Sequence, residues 1–208
     1  ELIVKTLNHL QKPPKVFLST SAVGIYGSQA GLVSDESASC GDDFLAQVCV
    51  DWEKRAHEYQ KGRVLIARLG VVLSPQGGML KKMLLPMKLG LGGQIGSGEQ
   101  QVSWIAIDDL IYTFYHLITN PSLSGTFNVT SPQQVSQREF TATLARVLKR
   151  PKGLALPKKL VKLIWGEMAE ATLLSSIGAN PKALKRASHQ FYFLNLEKAL
   201  RHLLGRSH

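Results

Sequence analysis

Apolar positions along the chain follow two rhythms. Leu2, Ile3, Leu7 and Leu10 fall on one helical stripe, which predicts a helix over residues 1–11. KVFLST, Lys15–Thr20, is a short continuous apolar run that reads as a buried strand, followed by a long loop from Ser21 to Gly41. Helical spacing returns between residues 42 and 60, where Phe44, Leu45, Val48, Trp52, Ala56 and Tyr59 recur and Asp42 or Asp43 is placed to cap the first turn. RVLIARLGVVL, Arg63–Leu73, reads as one long strand. Strands with near-continuous Val, Leu and Ile, joined through a helix, imply a parallel sheet covered on both faces.

Beyond Ser74-Pro75 the texture changes. A Met- and Leu-rich helix is predicted from Met79 to Leu89, then a glycine-rich segment, the strand-like QQVSWIAI, and a helix opening at Asp108-Asp109 and ending at Asn120-Pro121. GTFNVTS supplies another short strand. From Gln137 onward helices dominate: REFTATLARVLKR, PKKLVKLIWG, EMAEATLLSSIG, PKALKRA and LEKALRHLL, with Pro151, Pro157 and Pro181 between them. The expected fold class is α/β: part of a parallel sheet with a smaller, mainly helical domain attached.

Composition narrows the function classes. Of 208 residues, 44% are hydrophobic and 19% charged, which suits a globular protein of one large or two small domains. The longest apolar stretch, MLKKMLLPMKLGLGG, is broken by lysines and a proline, so no membrane span or membrane partner is expected. Cys40 and Cys49 match neither a disulfide framework nor a zinc spacing, favouring a reducing, cytoplasmic setting. The histidines are scattered and define no metal site. The chain begins ELIVKTLNHLQ, inside a helical pattern and without methionine, and is expected to be part of a longer product.

The net charge is +10, concentrated in LKRPKG, LPKKLVKL and PKALKRA. No motif of a nucleic-acid reader accompanies it, so no nucleic-acid partner is expected. Solvated helix lysines are the commoner explanation of the charge, and an anionic ligand or an acidic segment outside this chain would also account for it. The glycine run LGLGGQIGSG, Leu89–Gly98, imitates a dinucleotide loop. A phosphate cradle follows a strand and opens a helix, whereas here a helix precedes and a strand follows. There is no Walker lysine and no G-x-S-x-G elbow. The sequon at Asn128 lies in a predicted core strand and carries no expectation of glycosylation.

Several blocks together carry a family resemblance. STSAVGIYG, ARLGVVLSPQGG, GSGEQQVSWIAIDDL and TFNVTS resemble, in order and spacing, the extended short-chain dehydrogenase/reductases. GDDFLAQVCVDWE, KKMLLPMKLGLGGQIGSG and VSWIAIDD are similar to an atypical subgroup of that family, named for sugar-nucleotide epimerases. The resemblance implies a partial Rossmann-like parallel sheet and a mainly helical substrate domain. Residues 1–78 and 104–131 would be the remaining half of the NAD(P)-binding domain, and residues 79–103 and 132–208 the substrate domain. The glycine-rich β-α-β unit that binds the adenylate end in such proteins would precede Glu1. The cofactor implied is NADP or NAD and the partner a small-molecule substrate, such as a nucleotide sugar. A homodimer through the helices flanking the first strand is also implied.

Carried over by motif, Ser21 would orient the reacting oxygen, although the alignment can slide to Ala22. Ser19 and Thr20 would contact the nicotinamide or substrate. Arg68 and the backbone of Gly70, Val71 and Val72 would line the nicotinamide side, with a strand-end ion pair the other role open to Arg68. The family's Tyr-x-x-x-Lys pair, which transfers the proton, falls on Leu45 and Cys49, and neither can do that work. Tyr26 is the remaining candidate acid, against a structural role for its Tyr-Gly position. The substrate arginine of the family falls on Val102. Trp104 could stack on a ring or pack in the core, and Lys88, with Lys81 and Lys82, could supply charge or simply be solvated. Loss of the Tyr–Lys pair keeps a second reading open, a non-catalytic dinucleotide sensor or scaffold.

Overall fold

The structure is a computed structural model and describes residues 2–29, 31–151, 153 and 175–206. The chain runs α1 (Leu2–His9), β1 (Val16–Ala22), a turn of 3₁₀ helix (Val23–Tyr26), β2 (Val33–Ser34), α2 (Phe44–His57), β3 (Arg63–Leu69) and β4 (Val71–Leu73). It continues through α3 (Gly78–Lys88), β5 (Gln101–Val102), β6 (Trp104–Ala106), α4 (Ile107–Thr119) and β7 (Gly125–Val129). The last elements are β8 (Val135–Ser136), α5 (Gln137–Leu148), β9 (Gly178–Ala179), α6 (Lys182–Arg186) and α7 (Leu196–Leu203).

The α/β expectation holds. A parallel sheet of order β1-β3-β7 forms the base, with Ser21 beside Arg68 and Arg68 beside Asn128. Leu65, Ala67, Phe127 and Val129 of this sheet pack with Leu110 and Leu117 of α4 and with Leu184 of α6.

The stretch predicted as one strand from Arg63 to Leu73 is two. β3 ends at Leu69, and after Gly70 the chain joins a different parallel pair, β4 with β6. Gly70 sits where the two ladders cross: its N–H donates to the Val129 carbonyl, and a Cβ there would stand 2.7 Å from the Ser103 carbonyl oxygen and 2.8 Å from Thr130 Cγ2. Only glycine allows that approach. β6 then divides two cores by strand alternation. Ile105 faces the sheet core, whereas Trp104 and Ala106 face a second core built with Leu80, Met83 and Met87 of α3, Phe140 and Leu144 of α5, and Leu200 of α7.

Helix ends follow local chemistry. Asp43 caps α2, its carboxylate accepting from the Ala46 N–H at 2.9 Å, and Ser136 caps α5 in the same way through the Glu139 N–H. The apolar stripe predicted on α2 is not wholly buried. Phe44, Leu45, Val48 and Trp52 remain exposed, while Ala46, Glu53 and Ala56 face inward. Residues 175–178, expected at the end of a helix, instead run extended into β9, which pairs with β2. The helix predicted over PKKLVKLIWG, and most of that over EMAEATLLSSIG, lies outside the described residues. Among the described residues no helix is long and apolar enough to cross a membrane, and no group of side chains could hold a metal ion.

Candidate functional site

In an open α/β sheet, ligands sit beyond the carboxyl ends of the strands. Here those ends carry Ser19, Thr20 and Ser21 on β1 and Arg68 on β3, followed by the Gly70–Leu73 crossing.

The three hydroxyls do not converge. Alternation along β1 sends Ser19 and Ser21 toward α2 and leaves Thr20 exposed. Ser19 is buried, and its Oγ accepts from Trp52 Nε1 at 3.2 Å. Ser21 Oγ is shut away from solvent without a hydrogen-bond partner. Beside it lies the Cys49 thiol, whose pKa burial pushes up while the Ala22 backbone and the Ser21 hydroxyl pull it down. A thiol is at best a weak partner, and Ser21 Oγ has no other hydrogen bond. A buried hydroxyl without a partner is costly, and such groups tend to mark sites where a ligand or water completes the shell.

Arg68 and Tyr26 belong to one closed network. Arg68 donates through Nε and Nη2 to both carboxylate oxygens of Glu53 at 2.9 and 2.8 Å, and through Nη1 to the Tyr26 hydroxyl at 2.9 Å. Tyr26 in turn donates to Asn128 Oδ1 at 2.7 Å, and Asn128 Nδ2 donates to the Asn180 carbonyl at 3.0 Å. Burial raises the Tyr26 pKa, opposed by Arg68 and Asn128. Burial also works against the Arg68 charge, but Glu53 and Tyr26 outweigh it and raise its pKa. With its ring 1% exposed and its hydroxyl engaged on both sides, Tyr26 holds β1, β3 and β7 together rather than facing a cleft. The following Gly27 has φ of 69°, and its backbone packs against Gly41, closing the loop that carries Tyr26.

At the crossing, the N–H groups are consumed: that of Gly70 by Val129 and that of Val71 by the Ser103 carbonyl at 2.7 Å. Val72 lies within the β4–β6 ladder opposite Ile105. Trp104 is 0% exposed and fills the helical core, so its indole offers no open stacking face. Lys88 is exposed at the far end of α3, ~13 Å along the helix axis from Met79. Beyond the crossing lies a cavity of about 60 Å³ lined by Val23, Val71, Met79, Met83, Val102 and Phe140, among others.

Glu53 is the buried partner of Arg68 that sequence reasoning did not single out. Its only signal was its place after Trp52 in the CVDWE block.

The human epimerase family protein SDR39U1, crystallised with NADPH, superposes with a TM-score of 0.93 at 31% identity, covering 98% of this chain and 70% of that one. The chain belongs to this epimerase family. An epimerase family protein of Mycobacterium bovis is 44% identical over 185 residues, 88% of this chain and 62% of that protein, so the chain spans less than two thirds of that relative. A nucleoside-diphosphate sugar epimerase of Corynebacterium glutamicum matches with a TM-score of 0.78 at 33% identity, covering 98% of this chain and 40% of that one. A profile described as a domain of unknown function (DUF1731) matches residues 156–203.

Proposed function

We propose that this chain supplies the nicotinamide-facing side of an NADP(H) site, and the substrate side of the same crevice, in a protein that performs hydride transfer on a small-molecule alcohol or carbonyl. Nucleotide sugars are one such substrate class. Residues 1–78 and 104–131 serve the cofactor, and residues 79–103 and 132–208 the substrate. The observation that carries the reading is the enclosed, unpartnered Ser21 hydroxyl at the carboxyl end of β1, beside the Gly70–Val71 crossing. The NADPH in the human relative's crystals supports the choice of cofactor.

A bound nicotinamide supplies acceptance and return of hydride. The chain's own part is positioning. Ser21 holds the reacting oxygen, and exposed Thr20 contacts the ring or the substrate from the other face of the strand. With the Gly70 and Val71 amides engaged, recognition at the crossing falls to backbone carbonyls and the apolar side chains of Val71 and Val72. Arg68 is a positioning residue that fixes Tyr26 and the strand ends.

A second reading is favoured by one observation. The α2 position facing Ser21 carries the Cys49 thiol, held protonated by burial, where a lysine would sit in a Tyr–Lys relay. A dinucleotide sensor without turnover fits that feature. The product of the complete reading frame, titrated with NADPH by nicotinamide fluorescence, is expected to bind stoichiometrically, and Ser21→Ala to abolish any solvent-deuterium exchange into nucleotide sugars or simple alcohols. Stoichiometric binding with no exchange across the panel would favour the sensor, and absence of binding would refute both.

A further inference from the structure

The cavity beyond the crossing has a chemistry of its own. Val23 directly follows the end of β1, and Val71 opens β4 after Gly70, so the cavity lies at the carboxyl ends of β1 and β3. Its walls are Val23, Val71, Met79, Met83, Val102 and Phe140, closed by Ile95 and Ile177, and no ionisable side chain lines it among the described residues.

Of the polar side chains in the wall, which also include Gln101 and Ser175, Ser103 and Gln137 are already committed. Ser103 Oγ donates to the Ile177 carbonyl at 2.8 Å and accepts from the Ala179 N–H at 2.8 Å. Gln137 Oε1 accepts from the Ile95 N–H at 2.9 Å, and its Nε2 donates to Thr141 Oγ1 at 2.8 Å. A phosphate entering this space would lose its water and find no cation among the described wall residues to replace it. An aliphatic group would lose only its unfavourable hydration. The two methionines lend the wall adaptability, since thioether chains repack around irregular apolar shapes. At about 60 Å³ the space admits a few water-sized groups, the bulk of a short branched alkyl chain.

We infer that this cavity receives an uncharged aliphatic group of the substrate, with the reacting carbon at its mouth toward the β1 end, and that it does not seat a diphosphate. The assignment to a substrate rests on the cofactor reading above; the binding preference stands on the cavity alone.

Methyl-labelled methionine reports it directly in the product of the complete reading frame. Titration with 2-propanol and isobutanol is expected to shift the Met79 and Met83 methyl resonances saturably, with about fourfold tighter binding for the added methylene. Met87, buried in the adjoining core and outside the cavity wall, is expected to stay in place and to report an intact fold. Val102→Phe, which fills the space, should remove the saturable response. UDP-glucose should leave both methyls unmoved in the same range. Methyls silent to the alcohols in the unsubstituted protein, or saturated by UDP-glucose, would overturn the inference. Since NADPH fluorescence is read separately, alcohol silence with intact NADPH binding sinks this inference alone. An alcohol response without NADPH binding sinks its link to hydride transfer.

Discussion

The Glu53–Arg68–Tyr26–Asn128 network shows how single residues divide between structure and chemistry. The Glu53–Arg68 pair is bidentate, each side chain only 9% exposed. Such a pair contributes modestly as a whole, but removing one partner strands a buried charge at a cost of about 3–5 kcal/mol. Glu53→Ala is therefore expected to lose about that much in urea denaturation. Tyr26→Phe leaves Asn128 and Arg68 each short of a partner, and should cost about 1–3 kcal/mol while leaving NADPH affinity unchanged. A Tyr26→Phe protein of undiminished stability that had lost its chemistry would instead make Tyr26 the proton donor. Arg68 as one half of an ion pair was legible in the sequence. Its partner was not, because Glu53 comes 15 residues earlier on a helix whose buried face only the packing defines.

At the scale of elements, hydrophobic rhythm located the helices and the longer strands in the described residues, but it missed the two-residue strands β2, β8 and β9 and could not see the break at Gly70. The apolar run passes through the crossing without interruption, and only the pairing partners change. Gly70→Ala puts a methyl within 2.7 Å of the Ser103 carbonyl oxygen, and backbone there has little room to retreat. A loss of about 1–3 kcal/mol in denaturant unfolding is expected, as for other overpacked sites. α2 teaches the converse lesson. Its stripe of Phe44, Val48 and Trp52 identified a helix correctly, yet those side chains are exposed while Glu53 is buried. Periodicity reports which positions are apolar; what covers them is decided by other segments. The candidate cavity was illegible for the same reason, since its walls come from positions 23 to 177 and only Val102 stood out as a departure in the sequence.

Across the whole molecule, the C-terminal segment is held to the sheet through α4. The Asp109 carboxylate accepts from the Tyr192 and Phe193 N–H groups at 2.7 and 3.0 Å. Next to it the buried His189 contacts Thr113 Oγ1 at 3.0 Å and packs on Tyr112, His116 and Phe191. Thr113 donates its own proton to the Asp109 carbonyl, so His189 Nε2 carries the hydrogen and Nδ1 is left without a partner. Burial, and secondarily His116, push the His189 pKa from 6.5 down to about 4. The folded state thus holds His189 neutral where the unfolded chain would protonate it. Its contribution is complete above pH 6.5 and is lost as pH falls from there toward 4, amounting at most to about 3 kcal/mol. Asp109 acts with the opposite sign: burial raises its pKa, so its ionisation opposes folding as pH rises through the carboxylate range. Thermal stability should accordingly fall as pH drops from 6.5 to about 4, and His189→Gln should flatten that slope. An unchanged slope in the variant would place the acid sensitivity elsewhere.

The claim on which the functional account depends is that a nicotinamide ring belongs at the carboxyl end of β1. A crystal structure of the complete reading frame's product with NADP bears on it most directly. The account predicts the ring against the Ser21–Val23 strand end and the Gly70–Val71 crossing, with the mouth of the apolar cavity open beside it. A cofactor bound elsewhere, with Ser21 still enclosed and unpartnered, would contradict it.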